Sequence, residues 1–487
     1  MSISLRISLP VLLCVLLFSY PALAQFTPQQ TAGGQLRQEE DIERDRAMND
    51  RFRYKRALSE QPMNVTEGAA ANGMYGNVTF EGAPNFGPLM LKSKVGLRGK
   101  TQASESQLRK ALSYINDSPD RTASASAEAG KTVNTVNDRS PFHAGAAYDN
   151  FASKIVNRDR YTLFLENNSL IGYDDKLLLR YRRGDDSRLI LEEGSYSFPL
   201  SSTFEFGGYA LKEKTRLRGF DQFGARGRSD VFGFFTREVM YQNGWADIRW
   251  DNAFDYKKIR DFRFGEQTAR DALRIFRTGL DADLLDPIGR NILVPEVQFG
   301  IPDIFGGMEA KDDPQASRSG AGGRFTKGVL TYYRLQPLPF DLSVLWKNYG
   351  QYTNNRLVTS EQFQIGGPVS VRGYPVAEFA GDNGYYTSPE LFVPLYFIPR
   401  EVDIPFSRVS LYDSTRLMLF YDWATTSANG EPIAGSKKQE TIMGWGYGLR
   451  FAVKDNLILK VEVGYPLGKD PSDHTGPHPW VEVIGRF

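Results

Sequence analysis

The chain has 487 residues, 59 Lys and Arg against 58 Asp and Glu, three His and one Cys, so its formal net charge is +1. That balance leaves no net basic field for nucleic acid, and a mean hydropathy of −0.40 excludes a helical membrane protein. The length allows two or three soluble domains, yet aromatic residues make up 13% of the chain and recur at alternate positions, which raises the outer-membrane β-barrel as a third class.

In chain order, residues 1–24 read as a secretory signal peptide. Arg6 supplies the positive start, residues 9–20 the short apolar run, and Ala22-Leu23-Ala24 the small-residue cleavage pattern. The run is too short to span a membrane. Cys14 falls inside it, behind a Leu13 too large for a lipobox, so the mature chain would have no thiol or disulfide chemistry. Residues 25–73 hold a charged helix and a linker. Over residues 36–60 the acids and bases (Glu39, Glu40, Asp41, Glu43, Arg44, Asp45, Arg46) are too dense for a core helix. A solvated periplasmic helix is the plainer reading; a helix lying in a water-filled lumen as a plug is the other. Residues 63–76, rich in Gly, Ala and Asn, read as the linker.

Residues 74–140 carry a compact βααββ pattern. A strand is expected over 77–81 and a helix over 84–95. Ser104 caps a second helix in which Leu108, Ala111, Leu112 and Ile115 share one face, and strands follow over 122–128 and 131–138.

Residues 141–487 alternate. Over 441–453 Met443, Trp445, Tyr447, Leu449 and Phe451 oppose Gly444, Gly446, Gly448 and Arg450. Over 456–467 Leu457, Leu459, Val461, Val463 and Tyr465 oppose Lys460, Glu462 and Gly464. Leu417, Leu419, Tyr421 and Trp423 oppose Met418, Phe420 and Asp422; Ile248, Trp250, Phe254 and Tyr256 oppose Asp247, Arg249, Asp251 and Asp255. Period two with full charges on one face places the other face in lipid. Sixteen such segments, centred near residues 147, 163, 179, 194, 208, 236, 251, 280, 296, 331, 346, 391, 420, 447, 462 and 483, predict a transmembrane antiparallel β-barrel. Connections after even-numbered segments are mostly tight and those after odd ones mostly long (214–229, 303–323, 354–384, 425–440), as periplasmic turns and outer loops are. The stretch 398–415 breaks that rule. Phe487 ends the last segment on its apolar face, a pattern read by the barrel assembly machinery.

The longest informative loop contains Val371-Arg372-Gly373-Tyr374. A βααββ module, a sixteen-strand barrel and this motif between strands 11 and 12 together resemble the BamA-like superfamily. Within it, "LRKALSYINDSPDRTASASAEAG", "AAYDNFAS", "GGPVSVRGY", "GDNGYYTSPEL" and "LFYDWA" resemble the two-partner secretion transporters of the haemolysin-activator type, over residues 74–487. The resemblance implies that the module is a POTRA domain, usually present twice and readable here once. It implies that the loop folds back into the barrel, with Arg372 paired to Asp422 and Glu390 on the inner wall. The parity of Leu391, Val393, Leu395 and Phe397 independently turns Glu390 inward.

Other chemistry is thin. His474 and His478 stand i, i+4 but are split by Pro477, so no metal site is expected, and no phosphate-binding glycine loop with lysine occurs. No catalytic residue and no cofactor is expected. The chain reads as an outer-membrane exporter of a partner polypeptide, a large β-helical exoprotein, working without nucleotide hydrolysis among outer-membrane lipids. A client would add as a strand to a free edge of the module, placed at residues 131–136. A BamA-like assembly factor and, from another class, a passive solute porin are the alternatives.

Overall fold

The computed structural model describes residue 37, residues 41–49 and residues 74–487 apart from short interruptions, the longest being 431–436. The expected signal peptide and most of the expected linker lie outside the described residues.

Residues 41–49 form a helix, α1. The module follows with β1 (Met74–Gly76), β2 (Thr79–Glu81), α2 (Pro88–Lys94), β3 (Gln102–Ser104), α3 (Glu105–Asn116), β4 (Arg121–Glu128) and β5 (Lys131–Asp138). Its core joins Phe80, Phe86 and Leu91 to the expected face of α3, Leu108, Ala111, Leu112 and Ile115, all nearly or fully buried. Ser104 accepts from the Gln107 N–H at 3.3 Å while Gln107 Oε1 accepts from the Ser104 N–H at 3.0 Å, so α3 begins with a reciprocal capping box.

Three details of the module differ from expectation. The strand expected over 77–81 shortens to β2, because Asn77, with a φ of 42°, turns the chain after a separate β1 that takes residues expected in the linker. Helix α2 starts only at Pro88, because Gly87 before it has a φ of 45°. Most consequential, the sheet order is β2-β5-β4, with β2 parallel to β5. Residues 131–136 therefore lie in the middle of the sheet, and β4 is the long free edge. The parallel pairing joins segments more than fifty residues apart, which no local pattern records.

The barrel closes sixteen antiparallel strands. They are β6 (Phe142–Asp149), β7 (Arg160–Asn167), β8 (Lys176–Gly184), β9 (Leu189–Pro199), β10 (Phe204–Arg216), β11 (Arg226–Gln242), β12 (Ala246–Arg263) and β13 (Glu266–Asp286). Then come β14 (Gly289–Gly300), β15 (Phe325–Pro337), β16 (Ser343–Thr353), the short pair β17 (Phe363–Ile365) and β18 (Phe379–Gly381) outside the wall, and β19 (Asn383–Pro394). Helix α4 (Leu411–Ser414) precedes β20 (Thr415–Ser427), β21 (Gln439–Val453), β22 (Leu457–Leu467) and β23 (His478–Arg486). Each of the sixteen expected centres falls inside one wall strand. β23 pairs with β6, and Phe487 extends the seam by exchanging backbone hydrogen bonds with Ala144.

The alternation is realised as one face out and one face in. Leu419, Tyr421, Trp445 and Tyr447 are exposed where lipid covers them, while Met418, Phe420 and Asp422 are buried inside. Inward charges are matched across the wall: Arg160 with Asp149 at 2.6 Å, Arg277 with Asp255 at 2.7 Å, Arg290 with Asp283 at 2.7 Å and Arg486 with Glu166 at 2.5 Å. Burying such groups is tolerable only when they are paired.

Several strands run farther than expected. β10 and β11 shorten the loop foreseen over 214–229 to residues 217–225, and β12 and β13 meet in a two-residue turn, Phe264-Gly265, both at positive φ as a tight hairpin requires. The anomalous stretch between β19 and β20 lies largely exposed at the inner rim, tied down by side-chain hydrogen bonds. There Tyr396 donates to the Phe340 carbonyl at 2.7 Å and Tyr412 to Asp341 at 3.0 Å. The module meets the same rim through a two-pronged Arg121–Asp174 pair (2.6 and 2.9 Å) and a 2.8 Å contact of His143 with Asp120.

Candidate functional site in the barrel lumen

The loop between β16 and β19 turns back into the barrel. β17 and β18 pair with each other, and Phe363 and Ile365 bury against Tyr349, Tyr386, Ala424 and Ile442 on the inner wall. Gly366 and Gly367, with φ near 100°, then reverse the chain; a Cβ on Gly366 would stand 2.4 Å from the Pro375 carbonyl oxygen. The reversal delivers Val371, Arg372, Gly373 and Tyr374 to the wall, with Val371 and Tyr374 fully buried.

The floor beneath this tip is made of glycine. A Cβ at Gly464 on β22 would lie 2.4 Å from the Arg372 carbonyl group, and one at Gly373 2.5 Å from the backbone of Tyr465. At Gly446 on β21 a Cβ would strike the Phe420 ring at 2.4 Å. That ring lies flat against the wall and carries the Arg372 guanidinium 3.4 Å above its centre. The glycines seen in the alternation thus leave the volume that the loop and the ring occupy.

All five N–H donors of the Arg372 side chain find acceptors. Nε and Nη2 hold Asp422 in a fork at 2.9 and 2.7 Å. Nη1 reaches Glu390 at 2.8 Å and Glu462 at 3.3 Å, and Nη2 also reaches Ser388 Oγ at 2.9 Å. The backbone contributes too: the Arg372 N–H donates to Asp422 at 3.0 Å, and its carbonyl accepts from the Trp480 indole at 2.9 Å. Tyr374 closes the tip by donating to the Lys469 carbonyl at 2.7 Å. A planar guanidinium satisfies this forked geometry and an ammonium cannot.

The sequence-derived acids, Asp422 and Glu390, both meet Arg372. Glu462, Ser388, Lys347 and Arg450 were not foreseen. Glu462 shares its inward parity with Lys460 and Gly464, so the alternation carried a signal for it. Lys347 contacts Glu390 at 3.2 Å, and Arg450 contacts Glu390 and Glu462 at 3.1 and 3.0 Å.

The network continues into α1. Asp45 accepts from Lys347 at 2.8 Å and from Tyr333 at 2.9 Å, so one lysine bridges the helix to an acid that holds the loop. Glu43 meets Arg182 and Arg180 at 2.8 and 3.1 Å, and Arg46 meets Asp149 and Glu482 at 2.9 and 2.5 Å. Arg44 stacks 3.4 Å over Tyr349, Ile42 buries beside Phe151 and Trp480, and Met48 beside Ile292 and Leu345. Residues 41–49 are therefore not a solvated helix: complementary charges on the wall make burial of so polar a segment possible. Burial alone would raise the Glu43 and Asp45 carboxyls. The arginines around Glu43, and Lys347 and Lys460 beside Asp45, instead hold both far below the ordinary carboxylate range.

Comparison with known proteins gives three findings. The family model of the haemolysin secretion/activation protein ShlB/FhaC/HecB matches residues 132–451. The chain is 23% identical over 261 residues to the outer membrane transporter CdiB of Dickeya dadantii (strain 3937), covering 52% of this chain and 46% of that one; the match thus spans about half the length of this curated relative. Among solved structures it resembles CdiB from Escherichia coli (TM-score 0.69, 18% identity, 91% of this chain and 83% of that one). It also resembles CdiB from Acinetobacter baumannii (0.64, 15%, 85% and 74%) and BamA from Haemophilus ducreyi lacking POTRA domains 1–3 (0.57, 13%, 84% and 84%). At these identities the structural matches show the fold.

Proposed function

The chain belongs to the haemolysin secretion/activation family of outer-membrane β-barrels, and from that premise we propose that it exports one partner polypeptide across the outer membrane through its own barrel. The observation that carries this reading is what fills the lumen. A charged helix and a folded-back loop fill it, held by ion pairs that can be exchanged for one another beside small apolar contacts.

In this mechanism Arg372 anchors the loop, Asp422, Glu390 and Glu462 form its socket, and Val371, Gly373 and Tyr374 fit the tip to the wall. Helix α1 plugs the resting pore. The periplasmic module at 74–140 captures an unfolded client by adding it to the free edge of β4, where backbone hydrogen bonds give affinity with little demand on sequence. The client, a large β-helical exoprotein, displaces α1 and shifts the loop, and its folding outside gives direction without nucleotide hydrolysis. No step calls for a catalytic residue or cofactor. Phe487, which extends the seam strand, is the element the barrel assembly machinery reads.

The test is a deletion strain. Loss of one secreted protein from the medium, with outer-membrane proteins unchanged, is the expected result. Loss of many barrels from the membrane would point to an assembly factor, and slower uptake of small solutes with secretion intact would point to a porin.

A further inference from the structure

We propose that the outward face of the outer ends of β10–β13 binds the phosphate groups of phosphorylated glycolipid in the surrounding outer leaflet. The module precedes β6 and sits at one end of the barrel; the β10–β11 and β12–β13 connections sit at the other, with the loop that carries Arg372. Toward that outer end the lipid-facing positions of three adjacent strands change character together. On β10, Phe206, Gly208 and Ala210 give way to Lys212, Lys214 and Arg216. On β11, Phe234 and Phe232 give way to Asp230, Arg228 and Arg226, and on β12, Phe254 and Tyr256 give way to Lys258 and Arg260.

Register turns this into a specific charge arrangement. One cross-strand row is balanced: Glu192 on β9 stands opposite Lys212, Lys212 opposite Asp230, and Asp230 opposite Lys258. The next row outward is entirely basic, with Lys214 opposite Arg228, Arg228 opposite Arg260 and Arg260 opposite Arg270. Beyond it Arg216 stands opposite Arg226. Adjacent strands are about 5 Å apart, and like charges directly opposite one another destabilise a sheet. Among the described residues the acid that pairs with this row is Asp230, on Arg260. Arg226 and Arg228 share the Phe262 ring, which keeps their guanidinium groups outward.

A row of cations directly beyond a lipid-facing aromatic band matches one occupant: a lipid whose headgroup carries phosphates at the edge of the hydrocarbon. Each guanidinium offers a phosphate two parallel hydrogen bonds. The phosphates remove the repulsion between strands, and their acyl chains cover Phe232, Phe234 and Phe254.

The test uses the purified full chain in detergent, with thermal unfolding followed as diphosphorylated lipid A, its dephosphorylated form or inorganic phosphate is added. The triple variant Lys214→Gln/Arg216→Gln/Arg228→Gln touches three exposed side chains, so folding should persist; unchanged heat-modifiable migration checks that. A matching variant, Lys214→Arg/Arg216→Lys/Arg228→Lys, keeps the charges. Diphosphorylated lipid A should stabilise the wild-type chain and the charge-keeping variant, with apparent affinity on the order of 100-fold weaker for the Gln variant. The dephosphorylated lipid should stabilise all three chains equally and weakly. Equal binding of the diphosphorylated lipid by wild type and the Gln variant would overturn the proposal. So would equal stabilisation by inorganic phosphate, which would make the row a simple anion site.

Discussion

Replacing Arg372 by alanine removes five side-chain hydrogen bonds at once, and the structure indicates where the cost falls. Glu390 keeps Lys347 and Arg450, and Glu462 keeps Arg450. Among the described residues Asp422 keeps only a Ser388 hydroxyl at 2.6 Å and the residue-372 backbone N–H. One buried carboxylate is thus left without its cation, where breaking a buried pair costs about 3–5 kcal/mol. Because two of the three acids stay paired, the loss should lie near the low end, about 3 kcal/mol, or about two orders of magnitude in the ratio of docked to undocked loop. That is too small to open a sixteen-strand barrel and large enough to free its loop. Arg372→Ala should therefore reach the outer membrane at normal levels and secrete strongly reduced amounts of client; Arg372→Lys, a cation without the fork, should be partly active. Combined with Asp422→Ala it should fall short of the additive loss by at least about 1 kcal/mol in loop stability. Loop release is read by an impermeant thiol reagent at Ser370→Cys, a buried position that should label only when Arg372→Ala is also present. Strictly additive defects, or equal labelling with and without Arg372, would refute the anchor.

Gly446→Ala should lower secretion together with barrel stability, since its Cβ would meet the Val463 carbonyl oxygen on β22 at 2.1 Å as well as the Phe420 ring at 2.4 Å; overpacking costs about 1–3 kcal/mol, and wild-type secretion with unchanged heat-modifiable migration would show that this floor tolerates a methyl group. Deleting residues 25–61 should raise open probability in planar bilayers, and unchanged traces would mean that α1 does not block current. The depressed carboxyls of Glu43 and Asp45 set the pH behaviour of the same helix: its docking is fully favoured above the ordinary carboxylate pKa and lost only as pH falls through the lower docked values. Conductance should accordingly stay flat from about pH 7 to pH 5, whereas opening within that interval would refute the pairing. At the module, the Ala123 N–H donates to the Asn116 side-chain oxygen at 2.5 Å, away from β5, so the alternation of the ladder turns the N–H groups two and four residues on to the same edge. Ala125→Pro should cut client crosslinking and secretion with the barrel intact, and undiminished crosslinking would place capture elsewhere.

What could be read in the sequence was whatever repeats locally. Period two located all sixteen wall strands, and parity turned Asp422 and Glu390 inward, while their pairing with Arg372 was what the resemblance implied. The same parity held Glu462, which went unread because no resemblance drew attention to it. Features that depend on segments distant in the chain were not legible. Lys347 and Arg450 are ordinary inward bases until folding sets Asp45 and Glu390 between them. The place of β5 inside its sheet depends on a parallel partner more than fifty residues upstream. The outer limits of β10 and β11 were misjudged because strands that continue past the bilayer lose their apolar face while keeping their hydrogen bonds. The charged segment 41–49 resisted reading for a related reason: its burial is decided by the complement it meets.

The paired charges of the inner wall also bear on how fast anything can slide past them. Arg160, Arg277, Arg290 and Arg486 each already hold a carboxylate, so a peptide group moving by gains little by taking an arginine from its acid. An apolar lining would grip every passing leucine, and an unbalanced one every charge of opposite sign; each 1.4 kcal/mol of such grip slows escape about tenfold. On the export reading proposed above, a wall of paired ions would keep the path smooth, so that drift along it would be limited by chain diffusion and easily biased by weak pulling from one end.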